Sequence, residues 1–168
     1  METPEPVLQL EAYFIEALSM RGNELFDPSV HEYEGDISVE PQHLVRKGND
    51  RMHQLVLRVA YQPRLGAEAR LPYSVDVTGR GFFSFSVEDL SKQEKIELLA
   101  YNGMSILYGL LRAEVAHVTA LGQSGPLLLP TVNLASALAD WAKKQSQRGA
   151  RADAGHQTRG EKPAKTST

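Results

Sequence analysis

One stretch constrains the fold more than any other, a long run of alternating side chains from about residue 69 to residue 87. Tyr73, Val75, Val77, Phe83, Phe85 and Val87 share one parity, and Ser74, Asp76, Thr78, Arg80, Ser84 and Ser86 take the other. Residues two apart line one face of a strand. A long strand with one apolar face belongs to an antiparallel sheet covered on one side. The triplet Gly79-Arg80-Gly81 in its middle reads as a bulge or bend. Three other segments complete a sheet. The first strand covers about Val7–Met20, with Leu8, Leu10, Phe14 and Leu18 on one face, and "GNELFDPS" then breaks the chain. The second covers about Glu32–Leu44, where Ile37 and Val39 are two apart and Pro41 suggests an edge. The third is "MHQLVLRVAYQP", in which Leu55, Leu57, Val59 and Tyr61 alternate with Gln54, Val56, Arg58 and Ala60.

The period changes after Ser91, which is spaced from Glu94 as in a capping box. Ile96, Leu99, Ile106, Leu110 and Val118 recur at helical intervals, with Asn102-Gly103 as an interruption and Gly122 as a C-terminal cap. Asn133 is placed to cap a last helix to about Gln145, with Leu134, Leu138 and Trp141 on one face. Strands first and helices second is the pattern of an α+β domain, a four-stranded antiparallel sheet with helices packed on one face.

Charge divides the chain. From Lys143 to Thr168 there are seven Lys/Arg against two Asp/Glu, while the whole chain of 168 residues carries a formal −3. Residues 1–142 are therefore acidic, which disfavours nucleic acid as a main partner. We expect one domain, 1–145, and a basic tail, 146–168, too poor in apolar residues to offset the entropy of ordering. A solvated tail and a tail that touches RNA or anionic lipid both remain open. There is no cysteine, and the first residues lack a basic region followed by an apolar one. No disulfide, no signal peptide and a cytoplasmic location are expected.

No catalytic constellation stands out. His31, His43, His53, His117 and His156 form no short ligand pair, and we expect neither metal nor cofactor. "GQSG" at 122–125 lacks the spacing of a nucleophile elbow, and "GRGFFS" at 79–84 is followed by a strand where a phosphate site needs a helix. Glu114 and His117, three apart on the long helix, are the sole candidate acid–base pair. An enzyme of a hot-dog-like thioesterase type would have to use them. What remains is apolar surplus: Pro126, Leu127, Leu128, Leu129 and Pro130 in a row, and Phe82, whose parity opposes that of Phe83 and Phe85. Phe82 needs cover from a loop or a second subunit. These residues alone indicate an oligomeric binding protein with apolar grooves.

Three stretches, over about residues 8–140, resemble the bacterial protein-export chaperone SecB family: "HQLVLRVAY" at 53–61, "GRGFFSFSV" at 79–87, and "SILYGLLRAEVAHVTALGQSGPLLLPTVNLASAL" at 105–138. In the last, Leu107, Arg112, Gly122, Pro126, Leu127, Leu129, Val132 and Asn133 fall at matching positions. The resemblance implies a homotetramer, a dimer of dimers joined through helices. It implies ATP-independent holding of unfolded polypeptides or preproteins, with no enzymatic activity, to keep them competent for export or folding. The client groove it implies is formed by Phe82, Phe83, Phe85, Pro126, Leu127, Leu128, Leu129 and Val132, with Asn133 as the cap that anchors it.

Departures from the pattern bear on delivery. The family's "LFPYARE"-like element is "LYGLLRA" here, and the "PVNF" element is Thr131-Val132-Asn133-Leu134 after Pro130. The acidic patch that in the family docks the tail of the SecA motor is represented by Ala17, Arg21 and, as its one remaining acid, Asp76. A dedicated chaperone of a toxin–antitoxin system is therefore kept beside the general holdase.

Overall fold

The computed structural model describes residues 6–45 and 52–139. The expected tail, the end of the last helix and Trp141 lie outside them. Four strands form one antiparallel sheet, β1 (Leu8–Gly22), β2 (Gly35–Val45), β3 (His53–Pro63) and β4 (Tyr73–Phe85), in the order β1-β4-β3-β2. The long alternating run is a central strand, as its two-sided neighbours require. It is shorter than the sequence suggests because a 3-10 turn occupies Glu68–Arg70.

The inner face carries the core. Tyr73, Val75, Val77 and Phe83 of β4 and Leu55, Leu57, Val59 and Tyr61 of β3 are all buried. β1 departs from its expected face. Its register against β4 slips twice, between Leu10 and Ala12 and between Ile15 and Ala17. Each slip inserts one residue and reverses the parity that follows. Tyr13 and Ile15 therefore pack inward beside Leu10, Leu18 and Met20. Phe14 faces out, 56% exposed, edge-on to Phe82 at 5.7 Å. The bulges thus lie on β1, not at Gly79-Arg80-Gly81, whose pairing with β3 runs without a break. The extra residues are Glu11 and Glu16, and both return to β4: Glu11 accepts from the Ser84 hydroxyl, and Glu16 from Arg80. The glycines serve close approach instead. A Cβ on Gly79 would stand 2.5 Å from Leu111 Cδ2.

One helix covers this face. α1 (Lys92–Leu98) starts at the expected capping box, with Ser91 and Glu94 each bonding the other's backbone N–H. It passes through a π turn (Leu99–Gly103) into α2 (Met104–Thr119) without leaving helical backbone angles. Asn102-Gly103 thus widens the helix rather than breaking it. The wider turn rotates all that follows relative to a regular helix. The buried face becomes Leu99, Gly103, Met104, Leu107, Tyr108, Leu111, Val115 and Thr119, while the expected Ile96 and Ile106 are exposed. A further helical segment spans 134–139. Gly122 does not adopt the left-handed cap conformation expected of it; the glycines with positive φ are Gly66 and Gly125. Its lack of a side chain admits the Tyr73 hydroxyl, which would lie 2.5 Å from a Cβ there. No described helix is long and apolar enough to cross a membrane.

Candidate functional site

α2 lies chiefly over β4, with less contact on β3 and β1. A single helix, about 10 Å wide, cannot roof four strands spaced about 4.8 Å apart. The two flanks of the inner face are left half-covered. On one side these are Leu10, Tyr13, Ile15, Leu18 and Met20 of β1; on the other, Ile37 and Val39 of β2. Tyr13 on the first flank donates to Glu114 Oε1 of α2 at 3.1 Å, and that bond holds the Tyr13 hydroxyl above its usual pKa.

The segment after α2 closes part of the opening. It turns at residues 120–125 and runs back along α2 as a strap. Three hydroxyls tie it down. Tyr73 Oη accepts from Ser124 N at 2.8 Å. Thr119 Oγ1 accepts from Leu127 N at 2.7 Å while donating to Val115 O. Tyr108 donates to Pro130 O at 2.5 Å. Burial raises the pKa of Tyr108, and the nearby Arg112 acts against that rise. Arg112 Nε is itself buried, with no hydrogen-bond partner among the described residues. Asn133 Oδ1 accepts from Ser136 N at 3.2 Å, so the expected cap is in place at the start of the last helix.

The predicted groove residues separate into two classes. Phe83, Leu127 and Leu129 are fully buried in the core of the single chain. The strap alternates, which turns Leu127 and Leu129 inward and leaves Leu128 62% exposed between them. Pro126 is exposed, and Val132 is partly buried against the core. Phe85 is half-buried at the end of β4, edge-on to His53 at 5.1 Å, with Lys95 Nζ 5.8 Å from its ring centre. Phe82 lies on the opposite face of the sheet with Phe14 and does not join the others. The strap's backbone is the feature that sequence reasoning missed. Among the described residues, 126–132 make no hydrogen bond to other backbone groups. The prolines at both ends were its signal.

The outer sheet face is polar and internally paired. Arg58 makes two hydrogen bonds to Asp76, at 3.0 and 2.6 Å, and lies 3.6 Å from Glu40. Asp76 is therefore neutralised rather than presented as a free acid. Arg80 bridges Glu16 and Gln54, and a shallow hollow of about 730 Å³ lies between these two rows, floored by Val56, Pro41 and Thr78. The enzyme reading finds no assembled pair: Glu114 is engaged with Tyr13 on the β1 side, and His117 faces outward, exposed. No group of three or more potential metal ligands comes together among the described residues.

No family model and no curated protein sequence matches the chain. Solved structures do. The Mycobacterium tuberculosis SecB-like chaperone, in complex with a ChAD peptide from the HigA1 antitoxin, superposes with a TM-score of 0.57 at 17% identity, over 75% of this chain and 91% of that one. A protein of unknown function from Streptococcus agalactiae superposes with a TM-score of 0.42 at 13% identity, over 74% of this chain and 97% of that one. The first likeness establishes that this chain has a SecB-like fold.

Proposed function

We propose that the chain is a divergent SecB-like chaperone that binds unfolded polypeptides without ATP and performs no chemistry of its own. The observation that carries the reading is the half-roofed inner face, apolar on both flanks and bordered by a strap that bonds no other described backbone group and is held by side chains only at Leu127 N and Pro130 O. An extended polypeptide needs that combination: apolar wall for alternate side chains and free main-chain groups beside it. Client side chains lie against Ile37, Val39, Leu128 and Val132, with Phe85 at the far end. The chain acts in the cytoplasm as a homotetramer. Exposed Ser105, Ile106, Gly109, Ala113 and His117 leave the outer face of α2 free of formal charge and low enough for a second helix to approach.

The SecB-like neighbour binds an antitoxin peptide. That supports a second reading, a chaperone dedicated to the antitoxin of a toxin–antitoxin pair. The bonding of Asp76 to Arg58 favours it over delivery to SecA, which in the resembling family relies on free acids on the sheet. Preprotein export is then the less favoured of the two roles.

Hydrogen exchange tests the site. Adding a permanently unfolded polypeptide should slow amide exchange in β2 and in 126–132. Protection confined to the outer face, around Arg58 and Asp76, would overturn the assignment.

A further inference from the structure

Arg112 and Glu114 are two residues apart on α2, and so about 200° apart around the helix. The buried face, with Leu107, Tyr108, Leu111 and Val115, lies between them. Each therefore borders one flank of the inner sheet face. Glu114 borders the β1 flank, where it accepts from Tyr13. Arg112 borders the other flank, which carries Ile37 and Val39 of β2. Positions 108, 112, 115 and 119 follow the spacing of one helix ridge. Tyr108 and Thr119 on that ridge hold the strap at Pro130 and Leu127, so the strap passes Arg112 between its two latches, at Leu128 and Leu129.

The fold makes no use of this guanidinium. Arg58, Arg64, Arg70 and Arg80 each hold a carboxylate. Among the described residues Arg112 holds none, and its Nε is buried without a hydrogen-bond partner. The residue as a whole is half-buried. Its neighbour on the ridge, the Tyr108 hydroxyl, is committed to Pro130 O. Glu114 is engaged on the opposite flank. A cation partly withdrawn from water and left without an acceptor carries a desolvation cost that a carboxylate beside it would offset. The planar fork of an arginine fits a carboxylate through two parallel hydrogen bonds.

We propose that Arg112 receives a side-chain carboxylate of the bound client, and so selects segments in which an aspartate or glutamate is set among apolar residues. The inference rests on the client reading above. Ile37 and Val39 on the sheet, and Leu128 and Val132 on the strap, take the apolar side chains on either side of the acid. An extended chain that lies along the strap continues past Arg112 in both directions, so an internal acid fits where a chain end does not. Residues 1–142 are acidic overall, which disfavours clients that are acidic throughout. The contact gives selectivity at one position of the client.

Two unfolded peptides test it, identical in their apolar residues and carrying either glutamate or glutamine at the centre. Both are acetylated and amidated, so that the glutamate is the one carboxylate. Binding to the full chain is followed by fluorescence anisotropy. The glutamate peptide should bind about five- to tenfold more tightly, as expected of hydrogen bonds to a charged group. High salt should shrink the difference. Arg112→Gln should abolish it and leave the affinity for the glutamine peptide nearly unchanged. Arg112→Glu should reverse it in favour of a peptide with a central lysine, which a merely structural role would not do. In the parent chain, the Arg112 Nε–H resonance should move on adding the glutamate peptide and not the glutamine one, a readout that needs no variant. Equal binding of both peptides by the parent chain, a preference retained in folded Arg112→Gln, or an unmoved Nε–H resonance would overturn the proposal and leave the client reading standing. A parent chain that binds neither peptide would overturn both.

Discussion

The Tyr108 hydroxyl donates to the Pro130 carbonyl at 2.5 Å, joining two residues 22 apart in sequence and tying the strap to the middle of the long helix. Tyr108→Phe keeps the ring and loses only this bond. A hydrogen bond of this kind contributes about 0.5–1.5 kcal/mol. We expect a loss in that range by denaturant titration, with faster amide exchange confined to 126–132.

Thr119 and Leu127 give a sharper version of the same test. Thr119→Val fills the same space but leaves the buried Leu127 N–H without its acceptor. An unsatisfied buried donor costs about 1–3 kcal/mol. Thr119→Ser retains the hydroxyl and should recover most of the loss. Equal destabilisation by both would mean that the methyl group, not the bond, holds the strap.

Leu127, Leu128 and Leu129 should behave as two kinds of residue. Leu127→Ala or Leu129→Ala empties core and should cost about 2–5 kcal/mol. An aspartate at either position should unfold the chain rather than selectively weaken binding. Leu128→Asp, by contrast, should leave the unfolding midpoint nearly unchanged and reduce affinity for an unfolded client several-fold. Leu128→Asp binding as well as the parent chain would remove the strap from the site.

Much of this arrangement is legible in the sequence, and two of the failures share a cause. Strict alternation places Leu55, Leu57, Val59 and Tyr61 and the Tyr73–Val77 series on the inner face correctly, because nothing interrupts the period there. Phe14 and Ile106 are misplaced because one extra residue enters the period before each. Bulges at Glu11 and Glu16 reverse parity in β1, and the π turn at Leu99–Gly103 rotates the helix. A single insertion leaves no mark in composition. Only the pairing partner reveals it, and Glu16 meets Arg80 across 64 residues. The strap is anticipated as a special segment from its prolines. Which of its leucines point inward depends on Thr119 and Tyr108, whose hydroxyls carry no sequence signature.

The capping box gives a pH prediction. The Ser91 side chain and backbone hold the Glu94 carboxyl below its ordinary value of 4.5. A carboxyl depressed in the folded state stabilises above its unfolded pKa, and that contribution fades as the pH falls through the folded one. Amide protection in α1 should therefore decline on acidification below about pH 4.5 in the parent chain. Glu94→Gln should flatten that dependence. An unchanged profile would show that the carboxylate does not support the helix start.

The central claim is tested most directly by refolding. A slow-folding protein, unfolded in denaturant, is diluted into buffer with and without this chain, without ATP, and aggregation is followed by light scattering. The account predicts suppression that saturates near stoichiometric amounts, with Leu128→Asp markedly less effective than the parent chain. A folded, full-length protein that leaves aggregation unchanged at every ratio, and that also retains neither unfolded client nor antitoxin peptide on a sizing column, would contradict it.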